Sequence, residues 1–92
     1  MKQVRMTVVI SGRVQGVFYR QSTKQMAETL GLTGWVKNLP NGDVEALFEG
    51  EESNIRQMLN WCYRGPKAAR VDKVHSAESP ASGEFPRFSI KR

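Results

Sequence analysis

The chain contains one cysteine, Cys62, and one histidine, His75. A single cysteine excludes an intramolecular disulfide and any cysteine-rich metal site. A single histidine leaves no Ser-His-Asp or Cys-His set for nucleophilic catalysis. His75 falls in a strand-like segment and reads as structural. Cys62 falls on an apolar helical stripe and reads as a small core residue. No spacing of His, Cys and carboxylates matches a metal site, so neither metal nor cofactor is expected. Neither G-x-x-x-x-G-K-[ST] nor G-x-G-x-x-G occurs, which leaves an ordinary nucleotide loop unsupported. Long hydrophobic runs are also missing. Met6 to Ile10 is far too short for a signal-peptide core or a membrane span. A reduced, cytoplasmic setting without membrane association is therefore expected, and the one remaining disulfide option is an intermolecular bridge through Cys62.

The 92 residues fit one domain, residues 1–92. A chain of this size buries about 60–70% of its unfolded surface, enough for a core of modest stability. Hydrophobic content of 39% and charged content of 25% are those of an ordinary globular protein, so composition does not suggest disorder. The formal net charge of +5 favours an anionic partner: a small phosphate ester, a nucleic acid or a membrane surface. The basic residues form no block, which argues against a basic tail.

Val4, Met6, Val8 and Ile10 share one parity and predict a strand; Val9 on the other parity suggests a central one. A loop, "GRVQGVFYR" from Gly12 to Arg20, follows. Thr23, Met26, Ala27 and Leu30 then lie on one face of a helix, which Gly31 stops. Ser22 and Gln25 fit a capping box and predict a start near Ser22, while a slightly earlier start, also open, places Arg20 in the first helical turn. "TGWVKNL" and "VEALFEG" are strands joined by "PNGD", whose Asn41-Gly42 pair marks a tight hairpin. Glu51 and Glu52 suit the positive end of a second helix, with Ile55, Met58, Leu59 and Cys62 as its apolar stripe. Arg64, Gly65 and Pro66 end it. "ARVDKVHS" is a fourth strand, and "RFSIKR" adds a short last one. The order β-α-β-β-α-β, with an extra strand, predicts an α+β, ferredoxin-like split β-α-β sandwich: an antiparallel sheet with two helices on one face.

Two places carry candidate chemistry. Gly12 and Gly16 permit backbone angles closed to other residues. A glycine-bearing turn entering a helix can aim several N–H groups at an anion, aided by the helix's positive end. Arg20 adds a planar fork for two phosphate oxygens. The same residues also fit a plain strand-to-helix connection with an exposed arginine. Asn38 shares parity with Val36, so its amide can face the functional side of the sheet; it also fits a simple turn residue before "LPNGD".

These segments resemble the acylphosphatase family. "GRVQGVFYR" is similar to its phosphate-loop signature and "GLTGWVKN", Gly31 to Asn38, to its second signature. "NGDVEALFEG", "GPKAARVD" and "FSIKR" are similar to further family segments in the same order. The resemblance covers nearly the whole chain. It implies hydrolysis of the carboxyl-phosphate bond of small-molecule acyl phosphates to a carboxylate and inorganic phosphate, without a metal or a phosphoenzyme. It implies that Arg20 binds phosphate and Asn38 orients the attacking water. The loop of Val14, Gln15, Gly16, Val17, Phe18 and Tyr19 becomes a backbone cradle. Acetyl phosphate, carbamoyl phosphate and bisphosphoglycerate are substrates it suggests. Two departures stand out: Tyr19 where phenylalanine is usual, whose hydroxyl needs a partner, and Leu39 where some relatives carry a hydroxyl beside the asparagine. A monomer is expected.

A rival reading is an RNA-binding module of the same element order. Its third strand would carry a basic-aromatic signature, whereas "VEALFEG" has two glutamates and one phenylalanine, so no nucleic-acid partner is expected. A third reading is an interaction module that retains the anion site without turnover.

Overall fold

Val4, Met6, Val8 and Ile10 all point into the core from strand β1, Gln3–Arg13. The alternation follows from the two-residue repeat of a strand, which sends successive side chains to opposite faces. The structure is a computed structural model describing residues 2–91; Met1 and Arg92, the ends of the expected 1–92 domain, lie outside the described residues. After β1 come α1 (Tyr19–Thr29), β2 (Thr33–Asn38), β3 (Val44–Glu51), α2 (Glu52–Arg64), β4 (Arg70–Pro80) and β5 (Phe88–Ile90). The sheet order is β4-β1-β3-β2-β5, which makes β1 an interior strand as Val9 suggested. β1 pairs antiparallel with β3 and β4, and β2 with β3. β5 runs parallel to β2, placing Ile90 beside Val36. The sheet is therefore mixed rather than wholly antiparallel. A parallel partner needs a long crossover, which α2, β4 and the following loop supply here.

One core joins the sheet to both helices, built around Val8, Ile10, Val36, Phe48, Ile55, Met58 and Cys62. In α1, Thr23 and Ala27 are buried, with Met26 and Leu30 packed at the edge of the core. The helix closes by donation from Leu32 N to the Ala27 carbonyl (2.8 Å) and from Gly31 N to the Glu28 carbonyl (3.1 Å). This pair of bonds satisfies carbonyls that the helix end leaves without partners. In α2 the buried set is Ile55, Met58, Trp61 and Cys62. Leu59, expected in the stripe, is only partly buried, and Trp61 takes the deeper place.

Helix α1 begins at Tyr19, not near Ser22. The Ser22 amide already donates to the Phe18 carbonyl at 3.0 Å, so it is not an orphan donor awaiting a cap. Gly12 also departs from expectation. It lies inside β1 at a bulge, where the pairing with β4 skips a residue after Ser11. A side chain there would collide with the Arg70 carbonyl, so its glycine serves strand packing rather than an anion cradle.

Candidate active site

The segment from Val14 to Arg20 alternates between anchored and free residues. Val14, Val17 and Tyr19 are buried, Gly16 and Phe18 are exposed, and Arg20 is half-buried. Gly16 has φ 74° and Phe18 φ 64°, with Val17 outside the positive region between them. Alternating signs of φ turn successive N–H groups toward one side, which makes a concavity for an anion. Phe18 is the one residue other than glycine with positive φ among the described residues. Holding a side chain in that region costs about 1 kcal/mol.

The start of α1 adds to the same concavity. Phe18 offers no side-chain cap, and the first turn has no acidic residue. The amides of Tyr19, Arg20 and Gln21, ahead of the first intrahelical bond at Ser22, have no partner within the helix and carry its partial positive charge. A cavity of about 310 Å³ opens here, lined by Gly16, Phe18, Tyr19, Arg20, Gln21 and Ile90. Among the described residues, Arg20 is its one charged side chain, and no carboxylate pairs with it. Such a site attracts an anion and leaves the guanidinium fork free to grip it.

Tyr19 holds the start of α1 in place from beneath. Its hydroxyl donates to the Cys62 carbonyl at 2.7 Å, and its ring lies 5.4 Å from that of Trp61. In an uninterrupted helix the Cys62 carbonyl would accept from residue 66, but Pro66 has no N–H. The tyrosine thus satisfies an orphaned helix carbonyl, which gives the unusual hydroxyl its partner. Burial pushes the phenol pKa up and keeps it a neutral donor. Burial likewise pushes the Cys62 thiol up to about 12, which keeps it an unreactive core group.

Asn38 ends β2 on the same side as Val36, which is fully buried. Its Oδ1 is buried and accepts no hydrogen bond from any described residue. A buried acceptor without a protein partner is costly. Asn38 does not line the cavity beside Arg20, yet it is held next to the loop. The Gln15 amide donates to the Leu39 carbonyl (2.8 Å) and the Asp43 carbonyl (2.9 Å). The Leu39 amide also donates to the Asp43 carbonyl at 2.8 Å, closing the β2–β3 turn. Gln15, expected to contribute only its backbone, is thus the side chain that ties the Val14–Tyr19 loop to the strand end bearing Asn38. Its place in the loop sequence gave no signal of this, because both acceptors are main-chain atoms distant in the chain.

The remaining chemistry-bearing residues stand apart. His75 is exposed on β4, opposite Val9, and does not line the cavity. Among the described residues, no three of His, Cys, Asp and Glu come together as a metal-binding group. No described helix is long and apolar enough to cross a membrane.

The fold is that of a small ferredoxin-like α+β domain, with a concave loop beside an arginine that has no described carboxylate partner. The acylphosphatase family model matches residues 6–90. An acylphosphatase of Rubrobacter xylanophilus is 52% identical over 87 residues, covering 95% of this chain and 79% of that one. One from Marinobacter nauticus is 51% identical, covering 91% of each. The solved acylphosphatase of Coxiella burnetii superposes with a TM-score of 0.93 at 40% identity, covering 98% of this chain and 94% of that one. The chain belongs to the acylphosphatase family, and hydrolysis of acyl phosphates to inorganic phosphate is its function.

Proposed function

We propose that Arg20 and the backbone of Val14–Tyr19 bind the phosphoryl group while Asn38 orients the attacking water. The observation that carries this reading is the half-buried Arg20, free of any described carboxylate partner, on the rim of the loop whose glycine and Phe18 take positive φ. Phosphoryl transfer needs mainly positioning and charge stabilisation, which these groups supply. The water oxygen forms a bond to phosphorus as the bond from phosphorus to the acyl oxygen breaks. The carboxylate departs with that electron pair and needs little help from a protein acid. The water's proton passes to a phosphoryl oxygen, since no base faces the cavity among the described residues. The buried Asn38 Oδ1 is suited to accept a hydrogen bond from that water. The chain acts as one domain and a monomer in the cytoplasm, on small acyl phosphates, with no metal, membrane or nucleic-acid partner.

The test is release of inorganic phosphate from acyl phosphates by wild type and Asn38→Ala. The variant is expected to lose kcat while keeping inhibition by inorganic phosphate. A large loss of phosphate affinity in a folded Asn38→Ala would move that residue into the binding group.

A further inference from the structure

Helix α2 carries a second stripe beside the one that enters the core. Gln57, Asn60, Trp61 and Arg64 fall at i, i+3, i+4 and i+7, which is one face of a helix. Met26 and Leu30, four positions apart on α1, stand across from them. Together these side chains line a groove of about 350 Å³ between the two helices. It shares no lining residue with the cavity beside Arg20.

The groove combines apolar and polar walls. Met26 and Leu30 are only partly buried at the edge of the core, and Trp61 is 9% exposed. Gln57, Asn60 and Arg64 are exposed. Among the described residues no carboxylate pairs with Arg64. A cation in the last turn of a helix is also favoured by the helix's negative end. That accounts for the charge of Arg64, but not for two amides and an indole converging with it on one cavity. A guanidinium can only donate, so this rim favours a ligand that accepts and carries negative charge. An apolar cavity with a few convergent polar groups is the usual form of a small-molecule site.

We infer that this groove binds a small carboxylate carrying an apolar chain of about five carbons, a size suited to a cavity at the small end of the ligand range. Its two oxygens accept from the planar fork of Arg64, with the amides of Gln57 and Asn60 alongside. Its carbon chain lies against Met26, Leu30 and Trp61, which removes apolar surface from water. A bare phosphate leaves those apolar walls uncovered, and a neutral chain leaves Arg64 without a partner. Hydrolysis of an acyl phosphate releases a carboxylate, so the chain's own reaction supplies this class of ligand. The site stands apart from the phosphoryl cradle and does not depend on the roles proposed for Arg20 and Asn38.

The test is a titration of the full chain with hexanoate, read by the emission of Trp61 in a Trp35→Phe background, where it is the one tryptophan left. Calorimetry of the wild type with the same ligand supplies the answer if Trp35→Phe misfolds. Hexanoate is expected to bind saturably with a Kd of about 1 mM. Acetate and 1-hexanol should each bind at least about tenfold more weakly, the first for want of apolar surface and the second for want of charge. Arg64→Gln should weaken hexanoate about tenfold. Asn60→Glu, which sets a like charge in the groove, should abolish its binding. Both positions are exposed, so both variants should fold and keep wild-type turnover of acyl phosphates. Saturating inorganic phosphate should leave hexanoate affinity unchanged, because the two cavities share no residue. Competition with phosphate would move hexanoate to the cavity beside Arg20 and overturn the groove site. Unchanged affinity in folded Arg64→Gln and Asn60→Glu, or equal binding of hexanoate and 1-hexanol, would overturn it as well. Self-association that alters Trp61 emission with protein concentration, matched by sedimentation, would assign the groove to a second copy of the chain and equally contradict the inference.

Discussion

The Gln15 side chain bridges the loop to Leu39, its amide donating to that main-chain carbonyl at 2.8 Å across 24 positions of sequence. Leu39 follows Asn38 directly, so the bond sets the spacing between the proposed phosphoryl cradle and the proposed water-positioning residue. Gln15→Ala breaks this tie and the companion bond to Asp43. Small misplacements of reacting groups are costly, so kcat should fall about ten- to a hundredfold. The stability loss should be about 1–2 kcal/mol, from two hydrogen bonds in a part-buried place. Steady-state kinetics beside a denaturant melt separates the two effects. Wild-type kcat in a folded variant would show that the bridge does not align the site.

Tyr19→Phe removes the donor to the Cys62 carbonyl and leaves that acceptor unpaired in the core. The expected cost is about 1–2 kcal/mol. For a chain of this size each kcal/mol lowers Tm by roughly 4–8 °C. Calorimetry of the two proteins at equal pH checks this. An unchanged Tm would mean that water or a shifted backbone replaces the hydroxyl at no cost.

Glu49 is 4% exposed and pairs through its Oε2 with the Arg5 Nε at 2.6 Å. It also accepts bonds from the amides of Ser82 and Gly83 and from the Ser82 hydroxyl. Burial alone would raise its pKa, but these donors together bring it from 4.5 down to about 2. On acidification the unfolded chain takes up the proton first. The stabilisation is therefore full above the unfolded value and is lost as pH falls from about 4.5 to about 2. Glu49→Gln should destabilise the protein at neutral pH by about 2 kcal/mol. The two melting curves should converge toward pH 2. A constant difference across that window would show that the charge of Glu49 does not provide the stabilisation.

Strand parity made much of the fold legible. Val4, Met6, Val8 and Ile10 identify the core face of β1, and Arg64-Gly65-Pro66 marks the end of α2. These signals are local, set by side-chain alternation and backbone chemistry. The start of α1 stays open in the sequence because Ser22 and Gln25 have the composition of a cap, while the real cap position holds Phe18 on a left-handed backbone, which gives the earlier start. The parallel pairing of β5, the Arg5–Glu49 pair and the Gln15 bridge all join residues far apart in sequence. No local pattern encodes them. Of the candidate site, Arg20, Asn38 and the Val14–Tyr19 loop were named through resemblance to a family. Spacing alone left Arg20 open to a plain connection and Asn38 to a turn.

Chelation gives an independent check on the chemistry. Under the proposed binding of the phosphoryl group by Arg20 and loop amides, excess chelator should leave turnover unchanged, and inorganic phosphate should compete with substrate. Activity lost to chelator and restored by a divalent ion would require a metal at the phosphoryl group.

The most direct measurement is kcat/KM on benzoyl phosphate for wild type, Arg20→Ala and Arg20→Lys, with the phosphate inhibition constant determined for each. Arg20→Ala should show no measurable turnover. Arg20→Lys should lose at least about a hundredfold and bind phosphate more weakly, because an ammonium cannot grip two oxygens in one plane. Near wild-type turnover by a folded Arg20→Lys would contradict the account.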